Sequence, residues 1–240
     1  MNYQILIIVN IHVLFLFIIV YQFAHMSDNT QNIWNRILGT EIIDDQCDDN
    51  VKKILISICS SDSDNYSEKS IDFDSLISMD KKTRNICFFA ACMFNNNPWI
   101  INRLINDFEI DVNCVDDYGT NCLIMACLWN VNLGIIKYLT NDLKMDTRHT
   151  NIIGGNCLTY ACWSNTNLEI IRYLIEDLKM DINHEDNDGD NCLTYACRKN
   201  TNPEVIKYLI EDIKMDINII NAAWCSNTNL KIIKYLIDQR

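Results

Sequence analysis

The chain is predicted to be all-α: a solenoid of stacked helical repeats behind an N-terminal helical lead-in. Three observations predict it. The first is self-similarity. DDYGTNCLIMACLWNVNLGIIKYLTNDLKMD from Asp116, NIIGGNCLTYACWSNTNLEIIRYLIEDLKMDIN from Asn151 and DNDGDNCLTYACRKNTNPEVIKYLIEDIKMDIN from Asp186 restate one another with a period of 35 residues. A period of this length signals units that stack because none can bury its apolar face alone. The second is the stripe Leu168, Ile171, Leu174, Ile175 and Leu178, whose spacing of three and four is that of one helix face. The third is a set of helix-start residues in step with the period. Asn156 and Asn191 open a first, short helix, Asn132, Asn167 and Asn202 open a second, longer one, and Pro203 stands at its first position, where a missing N–H costs nothing.

Taken in order, the chain begins with a nearly continuous apolar run, Ile5 to Ala24, long enough as a helix at about 1.5 Å per residue to cross a bilayer. Three readings stand: a single-pass membrane anchor, a stretch upstream of a true start at Met26, or a cleaved signal peptide. Few basic residues flank the run, and Arg36 is the first, so the positive-inside rule gives little orientation. Residues 26–83 carry no repeat. Ile33, Trp34, Ile37 and Leu38, then Val51, Ile54, Leu55 and Ile58, have helical spacing, and Ser60 to Glu68 reads as a polar loop. This lead-in is expected to shield the first repeat. An F-box-like helix set, as in a ubiquitin-ligase substrate adaptor, lacks a Leu-Pro opening.

The repeats occupy 84–240, at about 84–118, 119–153, 154–188 and 189–218, with a partial unit at 219–240. Cys87, Ala91, Cys92 and Leu104 stand 35 residues before Cys122, Ala126, Cys127 and Leu139, and Asn97-Pro98 repeats the cap of Asn202-Pro203. The last unit keeps its second helix but is eight residues short, since Asn200 to Asn227 spans 27 residues instead of 35. Glu169 with Arg172 and Glu204 with Lys207 pair along the outer face.

These residues resemble the ankyrin repeat, whose pattern runs D-x-x-G-x-T-P-L-H-x-A-A, then E-I-V-x-x-L-L, then A-D-V-N. Gly189 matches the turn glycine, Leu193 the first-helix leucine, Ala196 and Cys197 the small pair, and Asp216-Ile217-Asn218 the closing triplet. Asn191 and Cys192 replace Thr-Pro, Thr194 replaces His, and each copy is two residues longer than the usual 33. The spelling is similar to that of divergent ankyrin repeat proteins of giant DNA viruses of amoebae, the mimivirus-like group. The resemblance implies a viral, non-enzymatic module that binds another protein through loop tips and first helices. Its variable contact positions fall here on Asp117, Tyr118, Thr120, Leu128 and Trp129; on Ile152, Ile153, Gly155, Trp163 and Ser164; and on Asn187, Asp188, Asp190, Arg198 and Lys199. The runner-up is a membrane-tethered scaffold. Trp129 and Trp163 have a second reading, as packing between neighbouring first helices.

Charge and motif exclude other classes. A net charge of −12 disfavours a nucleic-acid partner, since that affinity comes from Lys and Arg displacing counterions. No Ser/His/Asp set, phosphate-cradling glycine loop or paired carboxylate stands out, so neither enzyme nor cofactor is expected. The Asp186, Asp188, Asp190 run has its glycine at the fourth place instead of the sixth and Cys197 where a calcium loop needs Glu, and reads as a turn. Eight of the 12 cysteines form two ladders, at 87, 122, 157, 192 and at 92, 127, 162, 197. No C-x-x-C occurs. The ladders are expected to be small buried thiols, free and reduced, which favours repeats facing a reducing cytosol.

Overall fold

The computed structural model describes residues 49–60, 73–216 and 230–238. The apolar run, the Ile33 to Leu38 spacing, the polar loop beyond Ser60 and the loop of the last unit lie outside the described residues. Among the described residues the structure is helical, apart from a single antiparallel bridge between Val115 and Asn121. No helix among them is long and apolar enough to cross a membrane.

Helices α1 (Asp49–Ser60) and α2 (Phe73–Ile77) form the lead-in, and α3 (Lys81–Phe94) with α4 (Pro98–Phe108) form the first repeat. The second, third and fourth repeats each pair an eight-residue helix, α5 (Cys122–Trp129), α7 (Cys157–Ser164) or α9 (Cys192–Lys199), with a short helix, α6 (Leu133–Lys137), α8 (Leu168–Arg172) or α10 (Pro203–Lys207). Helix α11 (Leu230–Asp238) continues the outer row. First helices pack in series from α3 to α9, and α1 extends that row at its start. Helices of eight residues are too short to persist alone in water, so this serial packing is what holds them.

Asparagine begins these helices. Asn121 accepts the Ile124 N–H, and Asn156 accepts those of Leu158 and Thr159 while its own N–H bonds Thr159 Oγ1, a reciprocal cap. Asn132, Asn167 and Asn202 cap the second helices, with Pro98 and Pro203 at the first turn of α4 and α10. The second helices are not uniform. After one α turn those of the second, third and fourth repeats widen into a π turn, at Tyr138–Asp142, Tyr173–Asp177 and Tyr208–Asp212, where the N–H of Leu143, Leu178 or Ile213 reaches the carbonyl five residues back, whereas α4 stays α-helical throughout. The regular stripe gave no sign of the widening. Each π turn ends on a left-handed lysine, Lys144, Lys179 or Lys214.

Asn95, Asn130, Asn165 and Asn200 end the first helices, and all four are buried. Asn130 Nδ2 donates to the carbonyls of Cys92 and Asn95 in the preceding repeat, both at 2.9 Å, and its Oδ1 accepts the Asn132 N–H at 2.8 Å. Asn165 repeats this on Cys127 and Asn130, and Asn200 on Cys162 and Asn165. Buried polar side chains are tolerated because every bond is made. Asn95 in turn donates to the Ile58 carbonyl, so α1 sits where a preceding first helix would sit. Val51, Ile54, Leu55 and Ile58 are buried there, and Phe73 of α2 stacks on Phe108 at 6.1 Å. The lead-in therefore covers the first repeat.

Candidate functional site

The second, third and fourth repeats each open on a loop tip built by one side chain. The Asp116 carboxylate accepts the N–H groups of Tyr118 and Thr120 at 2.9 and 2.7 Å, Asn151 Oδ1 those of Ile153 and Gly155, and Asp186 those of Asp188 and Asp190. Such Asx turns need a residue tolerant of positive φ at the bend. Gly154 has φ 86°, and a Cβ there would come 2.9 Å from the Asn187 backbone nitrogen. The tips are tied to one another. The Ile152 N–H bonds the Tyr118 carbonyl at 3.0 Å and the Asn187 N–H the Ile153 carbonyl at 2.9 Å. His149 Nε2 stands 2.7 Å from the Gly119 carbonyl and His184 Nε2 2.8 Å from that of Gly154.

The backbone of the face is thereby committed to the stack while its side chains vary. Tyr118 is 40% exposed and Ile152 56%, on adjacent tips, and Asp117, Asn187 and Asp188 beside them are exposed. Val115, 46% exposed, belongs with them and was missed by the sequence reading. Its slot changes from Val115 to Thr150 to Glu185, which is the signal that could have found it.

Other candidate positions are drawn inward. Thr120 is buried, and so is Gly155, whose added Cβ would meet the Tyr160 ring at 2.6 Å; both leave the contact set because the turn and the ring occupy their space. Trp163 is half-buried between Tyr160 and Tyr195, each ring centroid 5.6 Å away, and Trp129 lies 6.4 Å from Phe94. The second reading of both tryptophans, packing across first helices, describes these contacts. Ile153, Leu128 and Ser164 are half-buried. Arg198 holds Asp190 through a two-pronged ion pair, and Lys199 is half-buried with its pKa lowered by burial.

Burial governs the titration of the face. It raises the carboxyl of Asp116, and that of Asp190 despite Arg198. It pushes the Tyr160 phenol up to about 12, and raises that of Tyr195, which also donates to Asp186 at 2.6 Å. The carboxylate oxygens of Asp186 and Asp190 are thus taken by backbone N–H groups, Tyr195 and Arg198. Among the described residues no group of three or more His, Cys, Asp or Glu is placed to hold a metal ion.

The ladder cysteines are buried thiols outside any disulfide. Residues five apart on a short helix face opposite neighbours, so the thiol of Cys122 faces that of Cys92 across the repeat interface, Cys157 that of Cys127 and Cys192 that of Cys162. The 30-residue offset from 92 to 122, repeated twice, was the readable sign. Burial raises the Cys122, Cys127 and Cys162 thiols well above their usual range and pushes Cys114 up to about 12, so none is a ready nucleophile.

A stack of helix pairs with a constant framework and variable loop tips defines the class of helical repeat protein built for interaction. The family model for ankyrin repeats (3 copies) matches residues 88–186 and 131–221, together more than half of the chain. The chain belongs to the ankyrin repeat family. No curated protein matches it.

Proposed function

We propose that the protein is a non-enzymatic binding module for another protein, that the contact lies on the loop tips of the second to fourth repeats, and that Tyr118 and Ile152 anchor it. One observation carries this reading: two large apolar side chains stand exposed on adjacent tips whose backbones are already fixed, beside Val115 and the acidic Asp117 and Asp188. Apolar anchors on a rigid frame bind at low ordering cost. The spelling of the repeats supports a viral origin with a partner in the host or the virus, and the buried thiols support repeats that face the cytosol. The apolar run Ile5 to Ala24 favours a second reading, a scaffold tethered to a membrane by one span; carbonate extraction and protease protection of the full-length protein decide between them.

Replacing Tyr118 and Ile152 together by Ala tests the binding face. Partner recovery from the natural host should fall while the melting temperature stays within a degree or two, because exposed substitutions change stability by about 0.5 kcal/mol or less. Unchanged partners, or a clear drop in melting temperature, would move the site elsewhere.

A further inference from the structure

The three bonded loop tips are not chemically alike, and they change in one direction along the stack. At three variable slots the residues run Val115, Asp117 and Tyr118 in the second repeat, Thr150, Ile152 and Ile153 in the third, and Glu185, Asn187 and Asp188 in the fourth. Val115, Tyr118 and Ile152 are exposed apolar side chains at one end of this row, and Glu185 and Asp188 are exposed at the other. We infer that the partner is an extended protein segment in which an apolar side chain stands about three to five residues from a Lys or Arg. The apolar side chain beds on Val115, Tyr118 and Ile152, and the cation meets Glu185 and Asp188. This rests on the binding face proposed above and adds the chemistry and the direction of its ligand.

Charge selects the cation. Asp111, Asp117, Asp146 and Asp181 are also exposed in the loops 111–120, 146–155 and 181–190. Arg148 is the only Lys or Arg in those loops, and it lies 3.7 Å from Asp146. Arg198 on the adjoining first helix is held by Asp190, and Lys199 beside it is half-buried. The face thus sets carboxylates around an apolar strip, in a chain of net charge −12. Such a field attracts a basic partner and repels a second copy of the same face.

Geometry sets the spacing. The Ile152 N–H bonds the Tyr118 carbonyl and Asn187 Nδ2 the Ile152 carbonyl, so the tips form one row in which Asp188 begins where the apolar strip ends. Packed helices stand about 8 to 10 Å apart, which places the strip, shared by the second and third tips, about 10 to 15 Å from the fourth. Extended chain rises about 3.3 Å per residue and covers that distance in about three to five residues.

The test pans a phage-displayed random peptide library on the full-length protein and measures the affinity of the selected peptides by fluorescence anisotropy. The peptides should share an aliphatic or aromatic residue with Lys or Arg about three to five positions away. Glu185→Lys with Asp188→Lys should weaken them about tenfold or more, and raising salt from about 50 to about 500 mM should weaken binding to the wild type but hardly to that variant. Tyr118→Ala with Ile152→Ala should abolish binding. Peptides with no basic preference, an unchanged affinity in the charge-reversed variant, or a library that yields no binder overturns the inference. Peptides indifferent to Tyr118→Ala with Ile152→Ala overturn the binding face itself. Should the charge-reversed variant fail to fold, the peptide sequences and the salt response of the wild type decide.

Discussion

The two ends of each first helix solve the same problem in opposite ways. At both, backbone groups of one repeat are bonded to the next. At the end formed by Asn130, Asn165 and Asn200 a side chain makes the bonds, and it is the same side chain in each copy. At the loop tips the repeated His149 and His184 reach the Gly119 and Gly154 carbonyls, while the positions between them are also tied through backbone groups, as from the Ile152 N–H to the Tyr118 carbonyl, and their side chains read Asp-Tyr, Ile-Ile and Asn-Asp. A position is repeated where its side chain closes the stack and is free to change where backbone does so. Variability in this chain therefore marks where recognition is affordable without loss of fold.

Asn165→Ala gives the largest expected break. It removes two donors to buried carbonyls and the acceptor for the Asn167 N–H. With net hydrogen bonds near 1 kcal/mol each and orphaned buried groups costing more, urea unfolding should show a loss of about 3 kcal/mol or greater. Asn95→Ala removes the matching link to the lead-in, the bond to the Ile58 carbonyl and the acceptor for the Asn97 N–H, and should destabilise in the same sense. If Asn165→Ala costs less than about 1 kcal/mol, the ladder is not what couples the repeats.

The second break is alkaline. The Tyr160 phenol is raised to about 12 by burial, so its folded pKa lies above the unfolded value near 10. The folded state then keeps a proton the unfolded chain has released. Its contribution is complete below pH 10 and lost as pH rises toward 12, at about 1.4 kcal/mol per unit. Denaturant midpoints between pH 9 and 11 should fall, and less steeply in Tyr160→Phe.

Arg198→Ala tests a tip whose charges face one another. Asp190 would keep its burial and lose its cation, at a cost of about 1 kcal/mol near neutral pH for this half-buried pair. A carboxyl whose folded pKa is raised is destabilising once ionised, so stability falls as pH rises through its range. The variant's deficit should shrink on acidification toward pH 4, and a deficit constant with pH would deny the pair its role.

The stack, its period and its asparagine caps were legible because each rests on local pattern repeated several times. The buried asparagine row was visible as Asn130, Asn165 and Asn200 but not interpretable, since its partners lie 35 and 38 residues away. The face was half legible: Tyr118 and Ile152 stand out, while Thr120 and Gly155 went inward because an Asx turn and the Tyr160 ring, not position in the motif, decide exposure there. The π turns left no trace in apolar spacing at all.

The smallest effect concerns residues that repeat although their conformation disfavours them. Lys144, Lys179 and Lys214 close the π turns at φ 55°, 54° and 65°, a region where a Cβ meets its own carbonyl and costs about 1 kcal/mol or more. The fold requires it, because the next N–H, that of Met145, Met180 or Met215, turns back to the carbonyl of Leu139, Leu174 or Leu209. Glycine would relieve the strain but add freedom to the unfolded chain, which leaves a net gain of about 0.5 kcal/mol at each site. Lys179→Gly should therefore raise the unfolding midpoint slightly and leave both asparagine row and loop tips untouched. A loss instead would mean that the lysine side chain itself holds the helix end, and that the closing residue, like the asparagine, is repeated for its contacts.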